Sequence, residues 1–99
     1  MSNEHLIPIQ TLCTQYKIER SFITSLNDHG LIDIVTVETS TCIHEDHIQN
    51  LEKMIRLHQD LHLNFEGIDT VFNLLDRIEA LQSELQLVKS RLGIYEHGI

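Results

Sequence analysis

The sequence predicts a mainly α-helical protein, in which a small head with a β-hairpin precedes one long C-terminal coiled-coil helix. One observation is a run of β-branched residues that lies between two short helical segments and a third one. The other is a seven-residue apolar repeat formed by Val71, Leu74, Ile78, Leu81, Leu85, Val88 and Leu92. Spacings that alternate between three and four residues place one apolar stripe along a helix. We therefore expect a head at residues 1–63, a long dimerisation helix at 64–92 and a short tail at 93–99, in one domain overall.

Two short helices are predicted at the start of the head, after an extended segment at residues 4–7. The first has apolar side chains at helical spacing: Ile9, Leu12, Cys13 and Tyr16. The second runs from about Glu19 to His29, and Gly30 ends it because glycine takes the left-handed C-terminal conformation without strain. The tight connection between them makes the pair a helix-turn-helix.

A β-hairpin, or wing, is predicted next, followed by a third helix. Residues 31–37 and 39–43 are mostly β-branched or apolar, which is typical of two strands, with the turn near residues 38–41. The third helix is expected to begin at Glu45 and Asp46, whose carboxylates suit the positive end of the helix dipole. Asn64 is the predicted N-cap of the long helix.

The apolar stripe of the long helix changes width along its length. It is broad from Ile68 to Ile78, where we expect it to pack on the head, and narrow from Leu81 to Leu92, which favours another long helix. We therefore predict a homodimer with the heptad positions as its seam. The alternatives are a tail that folds back or one that receives a foreign partner, and the mixed flanking charges leave the direction of helix pairing open.

The chain is acidic, with fifteen Asp and Glu against seven Lys and Arg and a net charge of −8. Phosphate-backbone binding depends on clustered Lys and Arg, so this balance disfavours nucleic acid. It favours a basic protein partner, or simple solubility.

Compartment and redox state follow from three features of the sequence. The N-terminus lacks the basic region and apolar core of a signal peptide, and no apolar run reaches the roughly 18 residues of a membrane span. Cys13 and Cys42 are the two cysteines, and we expect reduced thiols in a cytoplasmic protein. The sequence leaves open whether a disulfide joins the two cysteines.

The order of elements resembles the MerR-like winged helix-turn-helix architecture. Within it, the runs LHQDLHLNFEGI at 57–68 and NLLDRIEAL at 73–81 resemble the CbpM family of chaperone-modulating proteins. The similarity covers about Ile7 to Leu92 and is most specific at the junction between the third and the long helix. The sequence departs from the family pattern at Lys17, where glycine is common, at His44, where a small or acidic cap is usual, and at Cys42, where Trp or Arg is common.

The resemblance implies binding to the J-domain of a CbpA-type, DnaJ-like co-chaperone and inhibition of its stimulation of DnaK. J-domains engage their chaperone through a basic helix, so an inhibitor that covers this helix should present acids. The candidate partner-binding residues are Asp28, Asp33, Glu38, Glu45, Asp46, Glu52 and Asp60. The alternative for each is an ordinary solvated surface acid.

DNA binding by a MerR-like transcriptional regulator is the alternative function. It would require Arg, Lys, Asn or Gln on the second helix. The exposed positions expected there are Arg20, Ser21, Thr24, Ser25, Asn27 and Asp28, and the wing has no basic residue. We therefore expect no nucleic-acid partner.

A metal site or a catalytic site is also disfavoured. His58 and His62 share a helix face, and Cys42, His44 and His47 are close in sequence, but zinc needs three or four converging ligands. Packed or surface histidines explain these residues better, so we expect no metal and no cofactor. No nucleophile has an evident base and no glycine-rich phosphate loop occurs, so we expect no enzyme activity.

Overall fold

The structure is a computed structural model that describes the backbone of residues 5–96 and the side chains of residues 5–93. In chain order the strands and helices are β1 (Leu6–Pro8), α1 (Ile9–Tyr16), α2 (Arg20–Asp28), β2 (Val35–Val37), β3 (Ser40–His44), α3 (Ile48–Leu61) and α4 (Phe65–Glu96). The predicted mainly helical architecture with a long C-terminal helix is confirmed. The chain forms two compact units, residues 1–69 and residues 70–99, and the boundary falls inside α4.

Three antiparallel strands form one sheet in the head, in the order β1-β3-β2. The hairpin is confirmed, since Val35 lies opposite Cys42 in the β2–β3 pair. Its first strand begins at Val35, four residues later than predicted. The other side of β3 pairs with β1, where Leu6 lies opposite His44. The expected extended segment at 4–7 is thus a sheet strand from Leu6 onward, and residue 4 lies outside the described residues.

Within the described backbone of residues 5–96, three non-glycine residues have a left-handed conformation, which costs an L-residue about 1–2 kcal/mol. Lys17 (φ 56°) ends α1 and His62 (φ 57°) ends α3, and each donates its backbone N–H to a carbonyl of the preceding helix. Glu38 (φ 58°) is the first residue of the two-residue wing turn. At Lys17 the chain therefore keeps the glycine-like turn geometry without a glycine.

One apolar core holds the head together. Its buried side chains come from α1, α2, the loop after α2, the sheet, α3 and the first turn of α4: Ile9, Leu12, Ile23, Leu26, Ile32, Cys42, Ile43, Leu51, Met54, Ile55 and Ile68. Their burial supplies most of the free energy that stabilises the arrangement of the short helices, since the hydrophobic effect scales with apolar area removed from water.

The start of α3 differs from the prediction. Glu45–His47 forms a single 3-10 turn, and the α-helix begins at Ile48, so the predicted start at Glu45 was wrong. The physical reason is the cap that precedes it: His44 Nδ1 accepts a hydrogen bond from the Asp46 backbone N–H at 3.1 Å. An imidazole acceptor thus satisfies a free N–H in the role usually taken by Ser, Thr, Asp or Asn.

Helix α4 has 32 residues and is about 48 Å long at 1.5 Å per residue. Its N-cap is confirmed, since Asn64 Oδ1 accepts from the Gly67 backbone N–H at 2.8 Å. Along the broad part of the stripe, Ile68 is buried in the core of the head, and Leu74, Leu75 and Ile78 are 51%, 41% and 50% exposed in the single chain.

The helix also continues past its predicted end. Residues 93–96 of the predicted tail extend α4, and residues 97–99 lie outside the described residues. Within the described chain, no helix combines the length and apolar character that a membrane crossing requires.

Candidate partner-binding surface of the head

The acids predicted to bind a partner lie mostly at the surface. Asp28, Asp33, Glu38, Glu45, Asp46 and Asp60 are exposed, whereas Glu52 is half-buried. They are distributed over the end of α2, the loop after it, the wing turn, the 3-10 turn and α3. The head therefore presents acidic side chains on several of its segments.

Two of these acids bind side chains of the head itself. Glu52 on α3 accepts a hydrogen bond from the Tyr16 hydroxyl on α1 at 2.6 Å. Glu45 Oε1 lies 3.0 Å from His5 Nδ1, with both side chains about half exposed. Part of the hydrogen-bonding capacity of these carboxylates is thus used within the fold, so they are less suited to a partner than the remaining acids.

Asp46 is a different case, because its carboxylate lies 3.4 Å from the His44 Nδ1 atom. The same Nδ1 accepts the backbone N–H of Asp46, so it carries no proton in that arrangement. We therefore regard the carboxylate and the imidazole as neighbours and not as an ion pair. The Asp46 side chain is 81% exposed, which leaves its charge available to a partner.

The other four predicted acids make no polar contact with the part of the chain whose side chains are described. Among residues 5–93, the carboxylates of Asp28, Asp33, Glu38 and Asp60 have no hydrogen bond and no ion pair. Their negative charges face solvent and are not offset by a close cation in the described chain.

The head also has an open cleft with an aromatic floor, called here the aromatic cleft. Its volume is about 410 Å³. It is bounded by the α1–α2 connection, one face of α2, the last turns of α3 and the first residue of α4. The lining residues are Lys17, Ile18, Glu19, Ser21, Phe22, Ser25, His58, Gln59 and Phe65.

Three rings in the cleft contact one another. The centroids of Phe22 and His58 lie 4.9 Å apart, and the His58 ring stacks on Phe65 at 5.7 Å with 14° between the ring planes. Phe22 also lies 5.7 Å from Phe65, and His29 stacks on Phe65 at 5.1 Å. These separations are in the range of favourable aromatic pairs.

His58 is held by a hydrogen bond as well as by ring contacts. Its Nδ1 lies 2.9 Å from the carbonyl oxygen of Leu63. Because a carbonyl oxygen only accepts, the proton is on Nδ1. His58 therefore serves as a fixed part of the α3–α4 junction, while His62 is the exposed residue that ends α3.

No candidate metal cluster emerges from the histidines. Across residues 5–93, no group of three His, Cys, Asp or Glu side chains is placed to hold a metal ion. Both cysteines are free thiols, with Cys42 buried in β3 and Cys13 half-buried on α1. The disulfide that the sequence left open is not formed.

The aromatic cleft was missed by the sequence reasoning. Of the three rings, His58 was considered only as a candidate metal ligand. The available signal was the 57–68 run that carries the family resemblance, since it holds both His58 and Phe65. What the run does not reveal is that Phe22, 36 residues earlier than His58, packs against both.

The surface that a winged helix-turn-helix would present to DNA has little positive charge. Arg20 is the basic residue of α2, and its Nη2 donates to the Thr41 hydroxyl on β3 at 2.6 Å. The wing turn carries Glu38 at its tip. The side chains available for phosphate or base contacts are therefore as few in the structure as the sequence indicated.

Comparison with known proteins gives two findings. The family model described as MerR HTH family regulatory protein matches residues 7–90. Curated relatives named chaperone modulatory protein CbpM occur in Pseudomonas entomophila strain L48, at 26% identity, and in Pseudomonas putida strain W619, at 27% identity. Each alignment of 88 residues covers 88% of this chain and 87% of the relative. No solved structure matches the chain.

Proposed function

The chain belongs to the MerR helix-turn-helix family of regulatory proteins, and from this premise we propose that it binds the J-domain of a DnaJ-like, CbpA-type co-chaperone and inhibits its stimulation of DnaK. The predicted resemblance to the CbpM family is confirmed by the curated relatives. The single observation that carries the proposal is this family likeness over nearly the whole chain. The role is regulatory, with no catalysis by the chain itself.

The charges of the head support a basic partner. Residues 5–69 contain ten acids and four bases, and the four acids without internal contacts leave their charges to solvent. Opposite charges steer the encounter of two proteins and disfavour wrong partners more than they add affinity. A J-domain with a basic helix is the kind of partner that this charge pattern fits.

DNA binding is the weaker proposal, although the fold family includes it. Fold alone does not establish function, and one arginine on α2 gives few contacts to phosphates. A gel-shift assay at low salt distinguishes the two proposals, and we expect no retardation of the nucleic acid.

Calorimetric titration of the full chain with a purified J-domain fragment tests the proposal. We expect binding that weakens as salt is added, because exposed charges are screened. The chain should also lower the DnaK ATPase rate measured with the co-chaperone present, and leave the basal rate of DnaK unchanged. If the J-domain does not bind at low salt, the proposal is wrong.

Charge-reversal variants show which acids contact the J-domain. Asp28→Lys, Asp33→Lys and Asp60→Lys each change an acid that lacks internal partners. Asp76→Lys makes the same change in charge on α4, away from the heptad stripe. We expect weaker binding from at least one head variant and little change from the control.

We also propose that two copies pair through α4. Six of the seven seam residues are 46–62% exposed: Leu74, Ile78, Leu81, Leu85, Val88 and Leu92. A large exposed apolar stripe is typical of an interaction surface, and a second copy of the same helix offers a matching one. A cytoplasmic location fits both proposals and keeps the two thiols reduced.

A further inference from the structure

We propose that the aromatic cleft receives one large apolar side chain from the basic helix of the J-domain, which makes the cleft the anchor point of the complex. This inference rests on the proposed function and adds the place and chemistry of the contact. None of the seven acids predicted to bind the partner lines the cleft, so it is a site that charge alone does not identify.

The floor of the cleft is already ordered before a partner arrives. Phe22, His58 and Phe65 are each half-buried and contact one another, and the Leu63 carbonyl fixes the His58 ring. Binding to a preformed floor avoids much of the entropy cost of ordering side chains at an interface. These rings line the cleft and favour an apolar or aromatic occupant.

The size and the rim of the cleft fit a single anchoring side chain. Its volume of about 410 Å³ is small among clefts that bind ligands, which span roughly 300–1,000 Å³. Four polar lining residues, Lys17, Glu19, Ser21 and Gln59, are exposed, and we take them as the rim. An apolar centre within a polar rim is the usual arrangement of an interface hot spot.

Charge complementarity identifies the kind of helix that carries this side chain. Glu19 is on the rim, Asp60 directly follows the rim residue Gln59, and Asp28 is three residues after Ser25. Among residues 5–93, Lys17 is the one Lys or Arg that lines the cleft, and its charge disfavours a cationic side chain inside. The fitting partner is therefore a helix whose apolar residue enters the cleft while its basic residues face these acids.

Filling the cleft tests the inference without removing its floor. Ser25 is half-buried, lines the cleft and makes no side-chain hydrogen bond within residues 5–93, so Ser25→Phe places a ring where the anchor should enter. We expect J-domain affinity at least about tenfold lower, since hot-spot losses commonly exceed 1.4 kcal/mol and that energy is tenfold in affinity. The loss of affinity should persist at high salt, because the contact that Ser25→Phe blocks is apolar.

Thr14→Phe is the matched control, because Thr14 is exposed on α1 and does not line the cleft. It should bind the J-domain as the unchanged chain does. Circular dichroism melting establishes that each variant is folded. If Ser25→Phe is unfolded, Phe22→Leu replaces it, since that variant removes one ring of the aromatic floor and keeps an apolar side chain at the position. It too should lower J-domain affinity, and unchanged affinity in that variant would overturn the anchor.

The outcomes separate this inference from the proposed function. Binding by the unchanged chain together with equal binding by folded Ser25→Phe would overturn the anchor and leave J-domain binding intact. Absence of binding by the unchanged chain would overturn both. A loss in Ser25→Phe at low and high salt, with Thr14→Phe unaffected, supports the anchor.

Discussion

The hydroxyl of Tyr16 donates a 2.6 Å hydrogen bond to Glu52 Oε2, which joins α1 to α3 across 36 residues of sequence. The pKa of Tyr16 is raised above its ordinary value of 10.0, first by this hydrogen bond, then by burial and by the negative charge of Glu52. One contact therefore links two helices of the head and makes their packing depend on a titrating group.

Tyr16→Phe should destabilise the head by about 1 kcal/mol, the usual net value of a hydrogen bond at a partly buried site. In a domain of this size the melting temperature should fall by about 4–8 °C. Thermal unfolding followed by circular dichroism measures the change. Glu52→Gln keeps an acceptor for the Tyr16 hydroxyl, so its melting temperature should fall less. An unchanged melting temperature in Tyr16→Phe would contradict the role of the hydrogen bond.

The same pair predicts a loss of stability in alkaline solution. The folded pKa of Tyr16 is higher than the unfolded one, so its contribution is complete below the ordinary pKa and is lost as the pH rises through the raised value. Denaturant unfolding at several pH values should show that the free energy of unfolding decreases over this range. The decrease should be smaller in Tyr16→Phe. The part of the phenolate absorbance that is lost in Tyr16→Phe belongs to Tyr16, and it should titrate above the ordinary pKa of tyrosine. Titration at or below that value would contradict the prediction.

Lys17→Gly should stabilise the chain, because Lys17 holds a left-handed conformation at the end of α1. Glycine removes the steric cost of that conformation but adds freedom to the unfolded chain, so we expect a net gain of about 0.5–1 kcal/mol. Chemical denaturation measures the gain. Lys17→Ala removes the same charge and keeps the strained backbone, so it should give no gain, and equal effects of the two variants would show that charge is the cause.

Leu85→Asp should lower the mass measured by sedimentation if the heptad stripe of α4 is a dimer seam. A carboxylate buried in an apolar seam without a compensating partner is strongly unfavourable. Leu87→Asp is a close control, since Leu87 is 53% exposed against 54% for Leu85 but lies outside the heptad positions. Equal masses for both variants and the unchanged chain would contradict this seam.

Local patterns predicted the helices well because their determinants lie within a few residues of one another. The helical spacing up to Tyr16 and the Asn64 cap are examples, and α1 and α2 end within a residue of their expected limits. The 3-10 turn was missed because its cap is an imidazole, a residue type that does not usually signal a helix start.

Non-local packing explains the other differences. Strand β1 has three residues, too few for a periodic pattern, and it pairs with a strand more than 30 residues later. The aromatic cleft depends on Phe22 meeting His58 and Phe65, and no spacing rule relates α2 to the α3–α4 junction.

The position of β1 beside β3 has a consequence for work with shortened chains. A sheet edge with unpaired N–H and C=O groups is a template for aggregation, and Leu6–Pro8 covers one such edge of β3. Pro8, the last residue of β1, suits an edge strand, because proline has no backbone N–H to offer to a further strand. Deletion through Pro8 would expose backbone beside the buried Ile43, so truncated protein should self-associate through its strands, an aggregation unrelated to the helical seam.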